Sequence, residues 1–176
     1  LGTLDGNNGF TIMGESTNDN ALDASYLGDF NGDGVEDLFI GAQHAKPPGR
    51  SSAGKAYVVY GGTNYLNRSL VDLQGLNETY GVQIWGNNSG DKLGASISGC
   101  GDVDGDGHPD LLLGAPYAKT HGDNTGQAIM ILGGRSGADG VIDIHDLGGS
   151  DGIILNGDTS GVYAGVVVSA VGDLNN

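Results

Sequence analysis

At 176 residues the chain is long enough for one domain with a sizeable core. Its formal charge of −15, from seven basic and twenty-two acidic residues, excludes nucleic acid as a partner, because phosphate binding needs the opposite sign. Thirty-five glycines and only 16% charged residues exclude a helical architecture, since glycine costs a helix interior about 1 kcal/mol. One cysteine, Cys100, gives no disulfide framework, and no apolar run approaches the roughly 18 residues of a membrane span.

In chain order, a first strand is predicted where glycines bracket Gly9-Phe-Thr-Ile-Met-Gly14, and a second in the small-residue run Ala21–Leu27. An acidic loop, Asp29-Phe-Asn31-Gly-Asp33-Gly34-Val35-Glu-Asp37, follows. It runs into Leu38-Phe-Ile-Gly-Ala42, an apolar run suited to a strand buried on both faces. After a polar loop comes a fourth strand, Ala56-Tyr-Val-Val-Tyr-Gly-Gly62. The series then starts again, with strands at 81–86, 94–100, 111–115 and 128–134 and a second acidic loop at 102–110. A third series begins with strands at 152–157 and 165–171 and reaches Asp173-Leu-Asn175. The repeats therefore cover 1–72, 73–143 and, in part, 144–176, as one segment over 1–176. Four short antiparallel strands per repeat, with glycine-rich turns and a period of about seventy-two residues, predict an all-β fold of β-propeller blades, two and a half in number.

The acidic loops carry the chemistry. Asp29, Asn31, Asp33 and Asp37 stand at loop positions 1, 3, 5 and 9, and Asp102, Asp104, Asp106 and Asp110 repeat the pattern. Alternation turns oxygen-bearing side chains to one side of a tight turn, and the glycine at position 6 permits the bend. Position 7, Val35 or His108, can offer its main-chain carbonyl. The seven carboxylates at positions 1, 3, 5 and 9 of the two turns repel one another unless a cation sits among them. Hard oxygens in this number favour Ca²⁺ over Mg²⁺, which keeps its waters. Position 12 is Ile40 or Leu113 rather than Glu, so the twelve-residue helix–loop–helix hand is excluded. Four carboxylates against three make loop two the tighter predicted site. Asp173 and Asn175 begin a third. A hydrogen-bonded turn without metal is the competing reading, but it does not require carboxylates at alternate positions.

These loops, followed by Gly114-Ala115-Pro116 and by Gly41-Ala42-Gln43, resemble the FG-GAP repeat of integrin α-subunits and of bacterial secreted or surface proteins. The Phe-Gly pair of that family is replaced by Leu93-Gly94 and Ala164-Gly165, and it is absent at Asn20-Ala21. The resemblance implies a propeller, commonly of seven blades, with structural calcium and an extracellular or cell-surface location. It implies a protein ligand or partner subunit, a role in adhesion and no catalysis. Two and a half repeats cannot close such a ring, so the chain is expected to be part of a longer one or to self-associate through open blade edges. A non-catalytic appendage of a secreted enzyme and an architectural spacer are the alternatives.

Other residues read more plainly. His44, His108, His121 and His145 share no metal spacing and are expected on surface loops. Cys100 and Trp85 read as packing residues. Asn67-Arg-Ser69, Asn77-Glu-Thr79 and Asn87-Asn-Ser89 fit the glycosylation sequon. Residues 43–54, 63–80 and 117–125 are the loops expected to vary with a ligand.

Overall fold

The computed structural model describes residues 4–6, 8–62 and 69–170, with only the backbone of Leu22. Eleven strands lie among the described residues: β1 (Thr11–Met13), β2 (Ala21–Gly28), β3 (Asp37–Ala42), β4 (Lys55–Val59), β5 (Leu70–Asp72), β6 (Gly81–Trp85), β7 (Ser96–Gly101), β8 (Asp110–Ala115), β9 (Gln127–Ile131), β10 (Val141–Asp143) and β11 (Gly152–Asn156). The all-β fold of antiparallel blades is present. β2-β3-β4-β6 form one antiparallel sheet and β7-β8-β9-β11 a second. The outermost strand of each sheet comes from the start of the following repeat, so each blade is cut one strand out of phase with the sequence period.

The apolar runs explain the layering. Side chains alternate across a strand, and Phe39, Val58 and Val82 stand in register on one face of the first sheet. Leu111 with Ile131, and Leu113 with Ile129, do the same on the second. These rows meet in one core together with Leu27, Phe30, Ile84, Leu93 and Ile97. Burying each large side chain is worth about 1.5–3 kcal/mol. The other face of the first sheet carries a separate core of Ile40, Tyr57, Val59, Val71, Leu73 and Leu76. The first sheet is thus buried on both faces, which accounts for the continuous apolar run of β3. The blades approach closely at glycine. A Cβ on Gly41 would strike the carbonyl of Gly94, and one on Gly114 that of Gly165.

Two features depart from the sequence expectation. β5 and β10 were not foreseen; three residues carry too little periodicity to register as strands. They pair parallel to β1 and β6. Each leads into a single 3₁₀ turn, Leu73–Gly75 or Ile144–Asp146, capped by the side chains of Asp72 and Asp143. Residues 165–170 form no strand. Their backbone instead donates from Val168 and Ala170 to the hydroxyls of Ser96 and Ser98, and no strand among the described residues pairs with them. At Asn20-Ala21, where the Phe-Gly pair is missing, the pairing of β2 with β3 shifts register between Ala21 and Asp23.

Candidate metal loops

The two acidic loops join β2 to β3 and β7 to β8, and their hydrogen bonding matches position by position. The position-1 carboxylate accepts three backbone N–H groups. Asp29 takes those of Gly32 (2.8 Å), Asp33 (3.0 Å) and Gly34 (2.7 Å), and Asp102 those of Gly105 (2.7 Å), Asp106 (3.0 Å) and Gly107 (2.9 Å). Asn31 and Asp104 at position 3 accept from the N–H of position 5, and Asp33 and Asp106 accept from that of position 7, Val35 or His108. The turn needs left-handed backbone at positions 4 and 6, supplied by Gly32, Gly34, Gly105 and Gly107. The fold of the loop is therefore set by its own side chains.

Those bonds leave lone pairs on the carboxylates. In loop two, oxygens of Asp102, Asp104 and Asp106 lie within 4.8 Å of one another, all three exposed. Hard, negatively charged oxygens converging at a solvent-facing point fit a divalent cation of the calcium type. Loop one replaces the central carboxylate with Asn31, whose amide donates to Asp33 at 3.0 Å.

Position 9 sits differently. Asp37 and Asp110 are buried, and each braces the base of its loop. Asp37 accepts from Phe30 N–H (2.8 Å) and from Gly61 N–H (2.9 Å) beyond β4. Asp110 accepts from Val103 and Gly133, both at 2.8 Å. Burial pushes both carboxyls above the usual carboxylate value. The backbone N–H bonds pull them back, and the neighbouring loop carboxylates add to the rise. The Gly-Gly pairs at 61–62 and 133–134 are thus part of the loops' foundation. A Cβ on Gly133 would lie 2.6 Å from the Cβ of His108. Their recurrence in register was the available sequence signal.

His108 is not a free surface residue. Its ring is wedged between the loops, where a Cβ on Gly32 would lie 2.5 Å from Cε1 and one on Gly134 2.9 Å from Cδ2. Its Nδ1 is buried without a hydrogen-bond partner. Cys100 is half-buried, its thiol pushed up to about 11 by burial and by Asp110. Trp85 donates from Nε1 to Gln83 at 3.0 Å beneath the ammonium of Lys55. Of the sequons, Asn77 is exposed, Asn87 contacts the His145 ring at 3.1 Å, and Asn67 lies outside the described residues. Asp173 and Asn175 lie outside them too.

The family model described as the FG-GAP repeat matches residues 24–59 and 93–129, each stretch enclosing one acidic loop and the strands beside it. The chain is 33% identical over 110 residues to phosphatidylinositol-glycan-specific phospholipase D of Bos taurus, covering 62% of this chain and 13% of that protein. It is 38% identical over 88 residues to the Rattus norvegicus enzyme, covering 50% and 10%. To integrin alpha-5 of Xenopus laevis it is 33% identical over 124 residues, covering 65% and 10%. The chain thus spans only about a tenth of the length of the curated relatives it matches. Two stretches of this chain thus match the FG-GAP repeat, and both fold as antiparallel β-blades.

Proposed function

We propose that residues 1–176 are one calcium-braced propeller segment of an extracellular or cell-surface protein. It is non-catalytic and presents its loops to a protein ligand or partner subunit, in an adhesive role. The observation that carries this is the convergent carboxylate cluster of loop two, repeated in outline by loop one. The first ion would be held by Asp29, Asn31, Asp33, Asp37 and the Val35 carbonyl. The second would be held by Asp102, Asp104, Asp106, Asp110 and the His108 carbonyl, and Asp173 and Asn175 would begin a third site. Each ion offsets charge that the chain otherwise concentrates at one end of its sheets. The similarity to integrin alpha-5 supports the adhesive reading, and that to the phospholipases supports a second one, a non-catalytic appendage of a secreted enzyme.

Thermal unfolding with calcium and with chelator tests the metal. Saturation at a hundredfold the dissociation constant stabilises a single site by about 2.7 kcal/mol, a rise of roughly 5–10 °C in the midpoint for a domain of this size. An unchanged midpoint overturns the reading.

A further inference from the structure

The turns at the opposite end of the same strands have a different character. β3 runs from the acidic loop to 43–54, and β6 leads into 86–95 at that same end. The chain has only seven basic residues. Among the described residues, Arg50, Lys55, Lys119 and Arg135 are each ion-paired, with Asp143, Glu15, Asp123 and Asp151. Lys46 and Lys92 have no acidic partner there, the Lys92 ammonium lying instead over the Tyr117 ring, 4.1 Å from its centroid. Both line one depression of about 260 Å³ at the seam between the blades, with His44, Thr17, Asn18 and Ser52. Asp19, the one carboxylate of the lining, is only 5% exposed, whereas Lys46 is exposed and Lys92 partly so.

The fold does not demand this. At the corresponding place in the next repeat, His44 is replaced by Tyr117 and Lys92 by Tyr163, and the two rings meet edge to face at 5.5 Å. Lys119, the counterpart of Lys46, is neutralised by Asp123 four residues on. Four residues beyond Lys46 stands Arg50, another cation, itself committed to Asp143. An acidic chain has therefore placed two ammonium groups without a carboxylate partner on one concavity, one of them where its own repeat has Tyr163. Five or six residues of strand separate this end from the acidic loops, about 16–20 Å. That exceeds the Debye length of about 8 Å at physiological salt, so the local charge, not the net charge, meets an incoming group. The volume falls below the ~300–1,000 Å³ of small-molecule pockets and suits a single side chain.

We infer that this depression is a docking point for a carboxylate side chain, Asp or Glu, of a protein partner, received by Lys46 and Lys92 with Thr17, Asn18 and Ser52 supplying polar contacts. The inference rests on the protein-binding reading above and gives it a location and a chemistry. The test is titration of a hexaglutamate peptide into the calcium-loaded, ¹⁵N-labelled chain, with hexaglutamine as control. Amides of Asn18, Ser52 and Lys92 should shift together and saturate, and the effect should fade as salt rises from about 0.05 M to about 0.5 M. Lys46→Glu with Lys92→Glu should weaken binding at least about tenfold. Lys46→Glu alone, at an exposed side chain, should weaken it in the same direction with all other amide positions kept. Equal shifts with hexaglutamine, or binding indifferent to charge reversal, overturn the inference. Tighter binding of a sulfated oligosaccharide at the same amides assigns the depression to a glycan and overturns the peptide occupant. A chain that ignores the peptide yet still gains thermal stability from calcium overturns the inference and leaves the proposed function standing.

Discussion

Single residues of the loops differ in how far folding depends on them. Asp104 accepts only one backbone N–H, from Asp106, whereas Asp110 is buried and clamps two segments together. Asp104→Asn should therefore reduce calcium affinity on the order of tenfold while leaving metal-free stability nearly unchanged, because charge count tunes such sites. Titration calorimetry that finds no loss defeats the charge argument. Phe30 and Val103 make a second contrast. They occupy the same loop position, but Phe30 is fully buried between the blades, its carbonyl accepting the Gly134 N–H at 2.9 Å, while Val103 is 55% exposed. Phe30→Ala should cost about 3–5 kcal/mol in chemical denaturation, and Val103→Ala no more than about 0.5 kcal/mol. The alternating oxygens were legible in the sequence because a local spacing encodes a local turn. The bracing role of Asp37 and Asp110 was not, since their partners Gly61 and Gly133 lie more than twenty residues away. The wedge formed by His108 was equally hidden, because it depends on how two loops seventy-three residues apart are set side by side.

At the scale of elements, the joints between blades are where stability can be tuned. Arg50, in the loop after β3, donates to both oxygens of Asp143 at 2.7 and 2.8 Å and to the Gly86 carbonyl at 2.9 Å. It thereby ties the 43–54 loop to the end of β10. Burial works against ionisation of Asp143. The Arg50 guanidinium and the His145 N–H together hold its carboxyl below the usual carboxylate value. A lowered folded value means the stabilisation is full above the ordinary carboxylate range and is lost as pH falls through the lowered one. Asp143→Asn should cost about 1–3 kcal/mol near pH 7. The gap from the parent should close below about pH 4 in acid-unfolding curves; a gap independent of pH would show that the charge is not what matters. The main strands were readable as apolar runs between glycines. β5 and β10 were not, since a three-residue strand draws its stability from a neighbour's edge rather than from its own pattern.

Across the whole molecule, charge and apolar surface are unevenly spread. The second sheet leaves Ile153 and Leu155 of its edge strand β11 exposed, and Val166 and Val167 are exposed further along the chain. Ile153 and Leu155 alternate onto one face of an edge strand, where a second copy of the chain could pack. Sedimentation of the chain should show a mass that grows with concentration, and Ile153→Lys should hold it to the monomer. A monomer at every concentration would count against the self-association expected from open blade edges. The sequence announced the repeat but not the phase of its sheets, because hydrogen-bonding partners are a property of the folded ladder. That phase has a consequence in time. The first sheet takes its fourth strand from residues 81–85, and the Gln83 N–H is given to the oxygen of Gly140 at 2.8 Å. A ribosome adding roughly 5–20 residues per second delivers those pieces seconds apart. Each blade must wait, unfinished, for part of its successor to be made. The Gln83 amide should thus acquire protection from exchange late, with residue 140, rather than with the strand in which it lies.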